Sequence, residues 1–320
     1  MKEIYNKLIN TKSVALFTHC NADLDAYGSV GAFYHWLKSI GKQVKIFLCE
    51  PINPKFNVLE LQDIYYEENT DFDLALCVDC SSVDRMEKFA PLYKSKQNLL
   101  IDHHKKDKVF YDYAYIDSQS PATCDIIFDF FKTNNIQITP IIATCIYVGI
   151  MGDTGCLMHD STNSAVFNKV AQLIELGCDR ISVKEKILNS KALAEIKSYE
   201  TIIKSLQINQ NIAFTTFTLK DKKSLNITEN IDTGTILNLI LHVEQISVSV
   251  IFKQSKKNVW RVSMRAKNGY DLTDIAIEFG GGGHKQAAGF NYIGNLNKLK
   301  KDLLQKLTTL KGEMWKKLME

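Results

Sequence analysis

Short apolar runs alternate with amphipathic stretches along the first half of the chain. Val14–Phe17 is one such run, ending in polar residues, and Val44–Leu48, Leu74–Val78 and Leu99–Ile101 repeat the form. Each is apolar at successive positions, as strands buried on both faces of a parallel sheet are. Helical patterning covers 26–40, with Gly41 as its stop. Ser120-Pro121 reads as a helix start, Ser as N-cap and Pro in the first turn. Ile141–Ile150 and Ala165–Leu176 read as two further helices, the second ended by Gly177. This alternation predicts an α/β layer fold around a parallel sheet.

The pattern changes after residue 181. Residues 182–206 are charged, helical in period and free of Gly and Pro, and predict a helical connector. Beyond it, Ala213–Leu219, Ile246–Phe252 and Val259–Met264 alternate β-branched and aromatic residues with others, and Lys256-Lys257-Asn258 reads as a turn. A short helix precedes the run Gly280–Gly283, and 295 to the end reads as an amphipathic, Lys-rich helix. The expected layout is an N-terminal parallel-sheet domain over 1–181, a connector over 182–206, and a smaller α/β domain over 207–320. The sheet of that second domain should be mixed and largely antiparallel.

Composition narrows the classes. With 45% hydrophobic and 23% charged residues, the chain suits a packed globular protein and excludes a disordered one. No apolar run reaches the length of a membrane span, and the opening residues lack the apolar stretch of a secretory signal. A cytoplasmic, non-membrane protein is expected. The net charge of +3 offers no broad basic track, so a polyanion should bind at a local site. The eight cysteines are scattered without a framework and predict reduced thiols. Cys77-Val78-Asp79-Cys80 lacks both the second pair of a zinc site and the helix start of a redox motif. It reads as small apolar residues on a buried strand.

Candidate chemistry gathers just after the predicted strands. His19, Asp23 and Asp25 follow the first, Asp79 the third, and Asp102, His103 and His104 the fourth; Asp153 closes the helix near Ile150. Ligands in an open α/β sheet bind beyond the carboxyl ends of the strands, so these groups should converge. Carboxylates in one crevice repel unless cations intervene. A mixed Asp/His shell without thiolate suits Mn²⁺, Mg²⁺ or Fe²⁺, and so many donors suit two ions. Such a pair, about 3.5–4 Å apart, can clamp a phosphate and activate water. Taken singly, Asp23, Asp25 and Asp79 fit helix or turn caps equally well, and Asp102-His103-His104 fits a surface turn.

The order of these motifs resembles the DHH phosphoesterase superfamily. Thr18-His19-Cys20-Asn21-Ala22-Asp23-Leu24-Asp25 is similar to its first motif, Val78-Asp79 to the second, Asp102-His103-His104 to the signature triplet and Gly152-Asp153-Thr154-Gly155 to the fourth. Phe279–Gly289 resembles the glycine-histidine element of the associated C-terminal domain. Ala22 departs from the family's usual Pro, which implies a looser loop but no lost ligand. The two-domain layout is similar to the bacterial nanoRNase branch. That resemblance implies hydrolysis of short RNA to mononucleotides and of 3′-phosphoadenosine 5′-phosphate to AMP.

The resemblance also implies residue roles. His19, Asp23 and Asp79 would hold one divalent cation, and Asp25, Asp79, His103 and Asp153 the other, Mn²⁺ before Mg²⁺, with Asp79 bridging. Asp102 would orient the histidines, and His104 would contact the phosphate or protonate the leaving oxygen. Arg265, Gly281, Gly282, Gly283 and His284 would bind substrate phosphate, with Lys267 as a helper, Arg261 a surface residue and Tyr270 a stacking platform. Short single-stranded RNA and small nucleotides are the implied partners, in a cleft between the domains that fits a few nucleotides; the branch also implies a homodimer. Three other readings stay open: a linear or cyclic dinucleotide phosphodiesterase, a pyrophosphatase, and a nucleic-acid-binding protein without catalysis.

Overall fold

The computed structural model describes residues 1–67, 71–105, 108–189, 191–227 and 231–309. The chain divides into two units, Met1–Ser190 and Lys191–Glu320.

The first unit carries β1 (Ser13–Phe17), β2 (Gln43–Phe47), β3 (Ile64–Tyr65), β4 (Leu74–Val78), β5 (Gln97–Asp102) and β6 (Tyr113–Ile116). Its helices are α1 (Lys2–Asn10), α2 (Leu24–Ser39), α3 (Ala90–Lys94), α4 (Thr123–Thr133), α5 (Pro140–Asp153), α6 (Ser164–Glu175) and α7 (Arg180–Val183). The strands run in the order β3-β2-β1-β4-β5-β6, and every pairing is parallel. Alternate strand residues enter different cores. Val14, Leu16, Leu76 and Leu99 pack with α2, α4 and α5, whereas Ala15, Phe17, Ala75 and Leu100 pack with Phe72, Met86, Phe89 and Tyr93. Burial on both faces is why these strands read as continuous apolar runs. The two edge strands, β3 and β6, are only partly buried and left no such run.

α2 and α5 cross closely because both are small at the crossing. A Cβ on Gly28 would lie 2.4 Å from the Cys145 carbonyl oxygen, and one on Gly149 would lie 2.2 Å from Cys124 Sγ and 2.5 Å from Asp25 Oδ1. The helix expected from Ser120-Pro121 begins instead at Thr123, with Ala122 as N-cap. The Ser120 hydroxyl serves the loop, reaching Asp125 Oδ2 and the Ala122 carbonyl, both at 2.8 Å. The expectation of thiols alone is corrected at one place: Cys20 and Cys49 form a disulfide. It joins the loop after β1 to the segment after β2, which the parallel β1–β2 pairing brings side by side. Cys77 and Cys80 are buried, as the packing reading of that motif requires.

The stretch expected as one connector helix is helical in pieces. α7 runs into a π-helical turn at Lys184–Leu188, Ala192 is extended, and α8 (Leu193–Lys204) belongs to the second unit. That unit adds β7 (Gln207–Asn209), β8 (Ile212–Phe217), β9 (Val248–Lys256), β10 (Val259–Ala266), β11 (Gly282–His284) and β12 (Ala287–Ile293). Its remaining helices are α9 (Leu219–Ser224), α10 (Gly234–Leu241), α11 (Thr273–Glu278) and α12 (Leu296–Thr309). The sheet order is β11-β12-β10-β9-β8-β7, antiparallel except for β8–β9. Leu219 does not extend β8; Thr218 ends the strand by forming a capping box with Asp221. The part of the expected C-terminal helix beyond residue 309 lies outside the described residues. No helix among the described residues is long and apolar enough to cross a membrane.

The α2–α5 crossing generates a stability prediction. Gly28→Ala forces a methyl against backbone that cannot rotate away, and is expected to cost about 1–3 kcal/mol. Urea denaturation of the two proteins measures this; unchanged stability would mean the helices can part without loss.

Candidate metal centre

The strand order places β1 and β4 side by side at the point where the sheet reverses its direction of growth. Ligand sites form at such points. The loop after β1 supplies His19 and Asp23, and the first turn of α2 supplies Asp25; the end of β4 supplies Asp79; the end of β5 supplies Asp102, His103 and His104; the last turn of α5 supplies Asp153. Three donor groups result: His19, Asp23 and Asp79; Asp25, His103 and Asp153; and Asp79, Asp102, His103 and His104. Within each group, one donor atom per residue lies within 4.8 Å of the others.

Asp79 stands at the centre. Its Oδ2 is 3.8 Å from His19 Nε2, and its Oδ1 is 3.7 Å from His103 Nε2. His19 Nε2 is also 3.6 Å from Asp23 Oδ2, and His103 Nε2 is 3.2 Å from Asp153 Oδ2. Both imidazoles are oriented from behind: His19 Nδ1 lies 2.9 Å from the Cys20 carbonyl and His103 Nδ1 3.2 Å from the Ser120 carbonyl. A carbonyl only accepts, so a neutral His103 ring carries its proton on Nδ1 and turns the Nε2 lone pair to the carboxylates.

A divalent cation fits these donors. His19 Nε2 is buried and makes no hydrogen bond, and the separations of its carboxylate neighbours leave room for an ion. Oxygen and imidazole donors without thiolate suit Mn²⁺ or Mg²⁺.

Cap and ligand are not alternatives for Asp23 and Asp25. Asp23 caps α2, its Oδ1 accepting from the Asp25 and Ala26 N–H groups at 3.1 and 3.0 Å, while its Oδ2 faces His19. Asp25 accepts from the N–H groups of Thr123 at 2.6 Å and Cys124 at 2.9 Å, which start α4. Asp102 is fully buried; Oδ2 accepts from the Cys80 N–H at 2.8 Å, and Oδ1 lies 2.8 Å from His104 Nδ1. The loop that lacks the family's Pro is tied down twice, by the Cys20–Cys49 bridge and by Glu50, whose carboxylate accepts the Asn21 N–H at 3.0–3.1 Å.

Crowding shifts the protons. Burial, then the Asp153 charge, raises Asp25 to about 7. Burial and the charges of Asp25, Asp23, Asp153 and Asp102 hold Asp79 well above the carboxylate range. Burial opposes charge on His103, but Asp153 and Asp25 outweigh it and lift His103 to about 9.

The substrate-contact candidates lie in the second unit. Arg265 pairs with Ala287 across β10–β12, and Ala287 with His284 across β12–β11. Directly paired residues of an antiparallel sheet share a face. Arg265 and His284 therefore face the same way across a small residue. Arg261, expected as a surface residue, is exposed and shares that face, as does its partner Lys253. Burial, then Arg261, brings Lys253 down to about 8. Asp232 lies close enough to Arg265 for their charges to interact. The glycine run has packing reasons: Gly280 needs a φ of +76°, and a Cβ on Gly281 or Gly283 would strike the Gly289 or Ala287 carbonyl oxygen. A Cβ on Gly280 or Gly282 would meet nothing within 4 Å, so of the four only Gly282 is bound neither by a positive φ nor by a close neighbour.

One expectation is corrected. Tyr270 is buried in the core, its hydroxyl accepting from Asn211 Nδ2 at 3.0 Å, so it offers no stacking platform. Lys267 donates to the Val243 and Glu244 carbonyls, both at 2.9 Å. Sequence reasoning missed Thr123, Lys253, Asp232 and Arg85, whose Nη2 lies 3.0 Å from His19 Nδ1. Arg85 stands six residues after Asp79, which was a usable signal; a threonine at a helix start is not.

Residues 13–150 match the DHH family, N-terminal domain, and residues 210–309 match the DHHA1 domain. An uncharacterized protein of Mycoplasma genitalium is 29% identical over 296 residues, covering 91% of this chain and 90% of its own. The bifunctional oligoribonuclease and PAP phosphatase NrnA of the same organism is 25% identical over 296 residues, covering 90% and 91%. Among solved structures, an exopolyphosphatase-related protein from Bacteroides fragilis aligns with a TM-score of 0.87 at 20% identity, over 96% of this chain and 95% of its own.

The proton shifts predict how pH acts on the metal-free protein. The unfolded chain ionises its carboxyls near about pH 4, whereas folded Asp25 keeps its proton to about 7. This cluster's contribution to stability therefore falls as pH rises between those values. His103 acts in the same direction: its stabilisation is complete below its ordinary value of 6.5 and is lost as pH rises through about 9. The Tm in chelator is expected to fall from about pH 5 to about pH 8, and Mn²⁺ to raise Tm more at the higher pH. Scanning calorimetry checks this; a metal-free Tm that climbs with pH would contradict it.

Proposed function

We propose, from the premise that the chain belongs to the DHH phosphoesterase family, that it hydrolyses short RNA oligonucleotides to mononucleotides and 3′-phosphoadenosine 5′-phosphate to AMP, using two divalent cations, Mn²⁺ before Mg²⁺. The observation that carries the reading is the placement of Asp79. One of its oxygens faces His19 beside Asp23, and the other faces His103 beside Asp153. A carboxylate so placed would be a ligand to both of two ions. His19, Asp23 and Asp79 would hold one; Asp25, Asp79, His103 and Asp153 would hold the other. Ions bound there supply Lewis acidity to a phosphoryl oxygen and activation of water.

The chain's own residues do the rest. Asp102 takes the Nδ1 proton of His104 as its hydrogen-bond partner and fixes that ring, which is partly exposed. His104 would then contact the phosphate or give a proton to the leaving oxygen from Nε2. Arg265 reads a substrate phosphate in two-pronged fashion, with Arg261 and Lys253 on the same face adding charge. His284 and the edge strand of Gly281–Gly283 add donors beside it. The relatives named as oligoribonucleases and PAP phosphatases support this choice of substrate over others of the family.

Purified protein with Mn²⁺, given labelled RNAs from dinucleotides upward and 3′-phosphoadenosine 5′-phosphate, is expected to convert the shortest RNAs fastest and to release AMP. Asp79→Ala is expected to lose at least about 10³-fold in turnover, since it removes a ligand of both ions. Substantial activity in that variant with metal present would sink the two-ion assignment. Preferential cleavage of pGpG, pApA or cyclic-di-AMP would keep the centre and replace the substrate. Rapid, exclusive release of phosphate from pyrophosphate would replace it too.

A further inference from the structure

Asp79 and Asp25 belong to different donor groups, yet one residue holds both. Thr123 opens α4 and is fully buried. Its N–H donates to Asp25 Oδ2 at 2.6 Å, and its hydroxyl donates to Asp79 Oδ1 at 3.0 Å. Asp25 has a second anchor in the Cys124 N–H at 2.9 Å, so backbone alone fixes it. The hold on Asp79 is a side chain, which substitution can remove.

Helix capping does not account for that hydroxyl. A capping threonine sits at the N-cap and accepts from the N–H groups of the first turn. Here Ala122 is the N-cap, with no side-chain hydrogen bond, and the Thr123 hydroxyl leaves its own helix to reach the end of β4. Space-filling does not require a hydroxyl either, because valine has the same shape. A buried hydroxyl needs a polar partner, and the partner it has is Asp79, which belongs to two of the donor groups.

We propose that Thr123 is a positioning residue for the metal centre: its hydroxyl sets the rotation of the Asp79 carboxylate against the Asp25 carboxylate that its N–H holds. The two donor groups then keep one spacing. The inference rests on the two-ion reading above. A hydroxyl bound to Oδ1 occupies one lone pair and leaves the other aimed, as groups behind metal ligands do. Without the hydroxyl the carboxylate, pressed by its charged neighbours, turns away from them.

Two substitutions separate this from packing. Thr123→Val keeps the shape and the N–H to Asp25 and removes the hydroxyl. Thr123→Ser keeps the hydroxyl and removes the methyl. Mn²⁺ uptake by the full chain, read by titration calorimetry and by electron paramagnetic resonance of free Mn²⁺, needs no turnover. Thr123→Val is expected to bind at least one equivalent about 10–100-fold more weakly, and Thr123→Ser to bind as the parent does. Thermal unfolding in chelator should order them oppositely, with Ser the less stable. A Val variant that binds Mn²⁺ like the parent overturns the proposal. Should Val fail to fold, the Ala and Ser variants make the same comparison, and Ala binding as well as Ser overturns it. A parent protein that takes up no Mn²⁺ removes the two-ion reading and this inference together. Normal uptake without nucleotide hydrolysis removes only the substrate assignment.

Discussion

Carboxylate repulsion is the constraint around which the first unit is arranged. Asp25, Asp79 and Asp102 are almost wholly buried at the carboxyl ends of adjacent strands, with Asp23 and Asp153 beside them. Left to itself such a cluster would swell apart or take up protons. Burial and the neighbouring carboxylates raise Asp25 and Asp79 above the ordinary carboxylate range, which favours their protonated forms. The fold therefore stores a demand for positive charge at one place.

The carboxylates stay together because backbone N–H groups hold them. Asp23 binds the first turn of α2, Asp25 the first turn of α4, and Asp102 the N–H groups of Cys80 and His104. Helix N-termini favour negative charge, so the same bonds lower the cost of the cluster. Each tie also couples elements distant in sequence. Asp25 fixes where α4 begins, and Gly149 of α5 must lack a side chain because Asp25 Oδ1 stands where its Cβ would be. The close α2–α5 crossing and the site are thus one piece of packing, and disturbing either disturbs the other.

How much of this the sequence discloses follows from burial and from chain distance. β1, β2, β4 and β5 are legible because a strand covered on both faces must be apolar throughout. β3 and β6, at the edges, carry mixed residues and leave no signal. The residues of the donor groups are legible since strand ends in a parallel sheet share one edge. Their hydrogen bonds are not: Ser120-Pro121 mimics a helix start, but Asp25, nearly a hundred residues earlier, takes the N–H groups at Thr123 and Cys124 and sets the true one. The Cys20–Cys49 bridge is hidden for the same reason, since only the β1–β2 register brings those positions together.

The second unit makes the converse point about glycine. Four glycines in a row look like an anion cradle, yet three of them answer to backbone geometry or to the nearness of β12. What they permit is an edge strand laid tightly on its neighbour, which carries His284 into line with Arg265. Small residues at Ala287 and Gly289 keep the floor between them low. The chemistry of that face is therefore set by register: β9 and β10 bring Lys253 opposite Arg261, two residues along the strand from Ser263 and four from Arg265. A shift of one residue would turn the cations into the core occupied by Val262, Met264 and Phe290. The apolar side of the same strands holds the register, so the packing of that core is what keeps the charges facing outward.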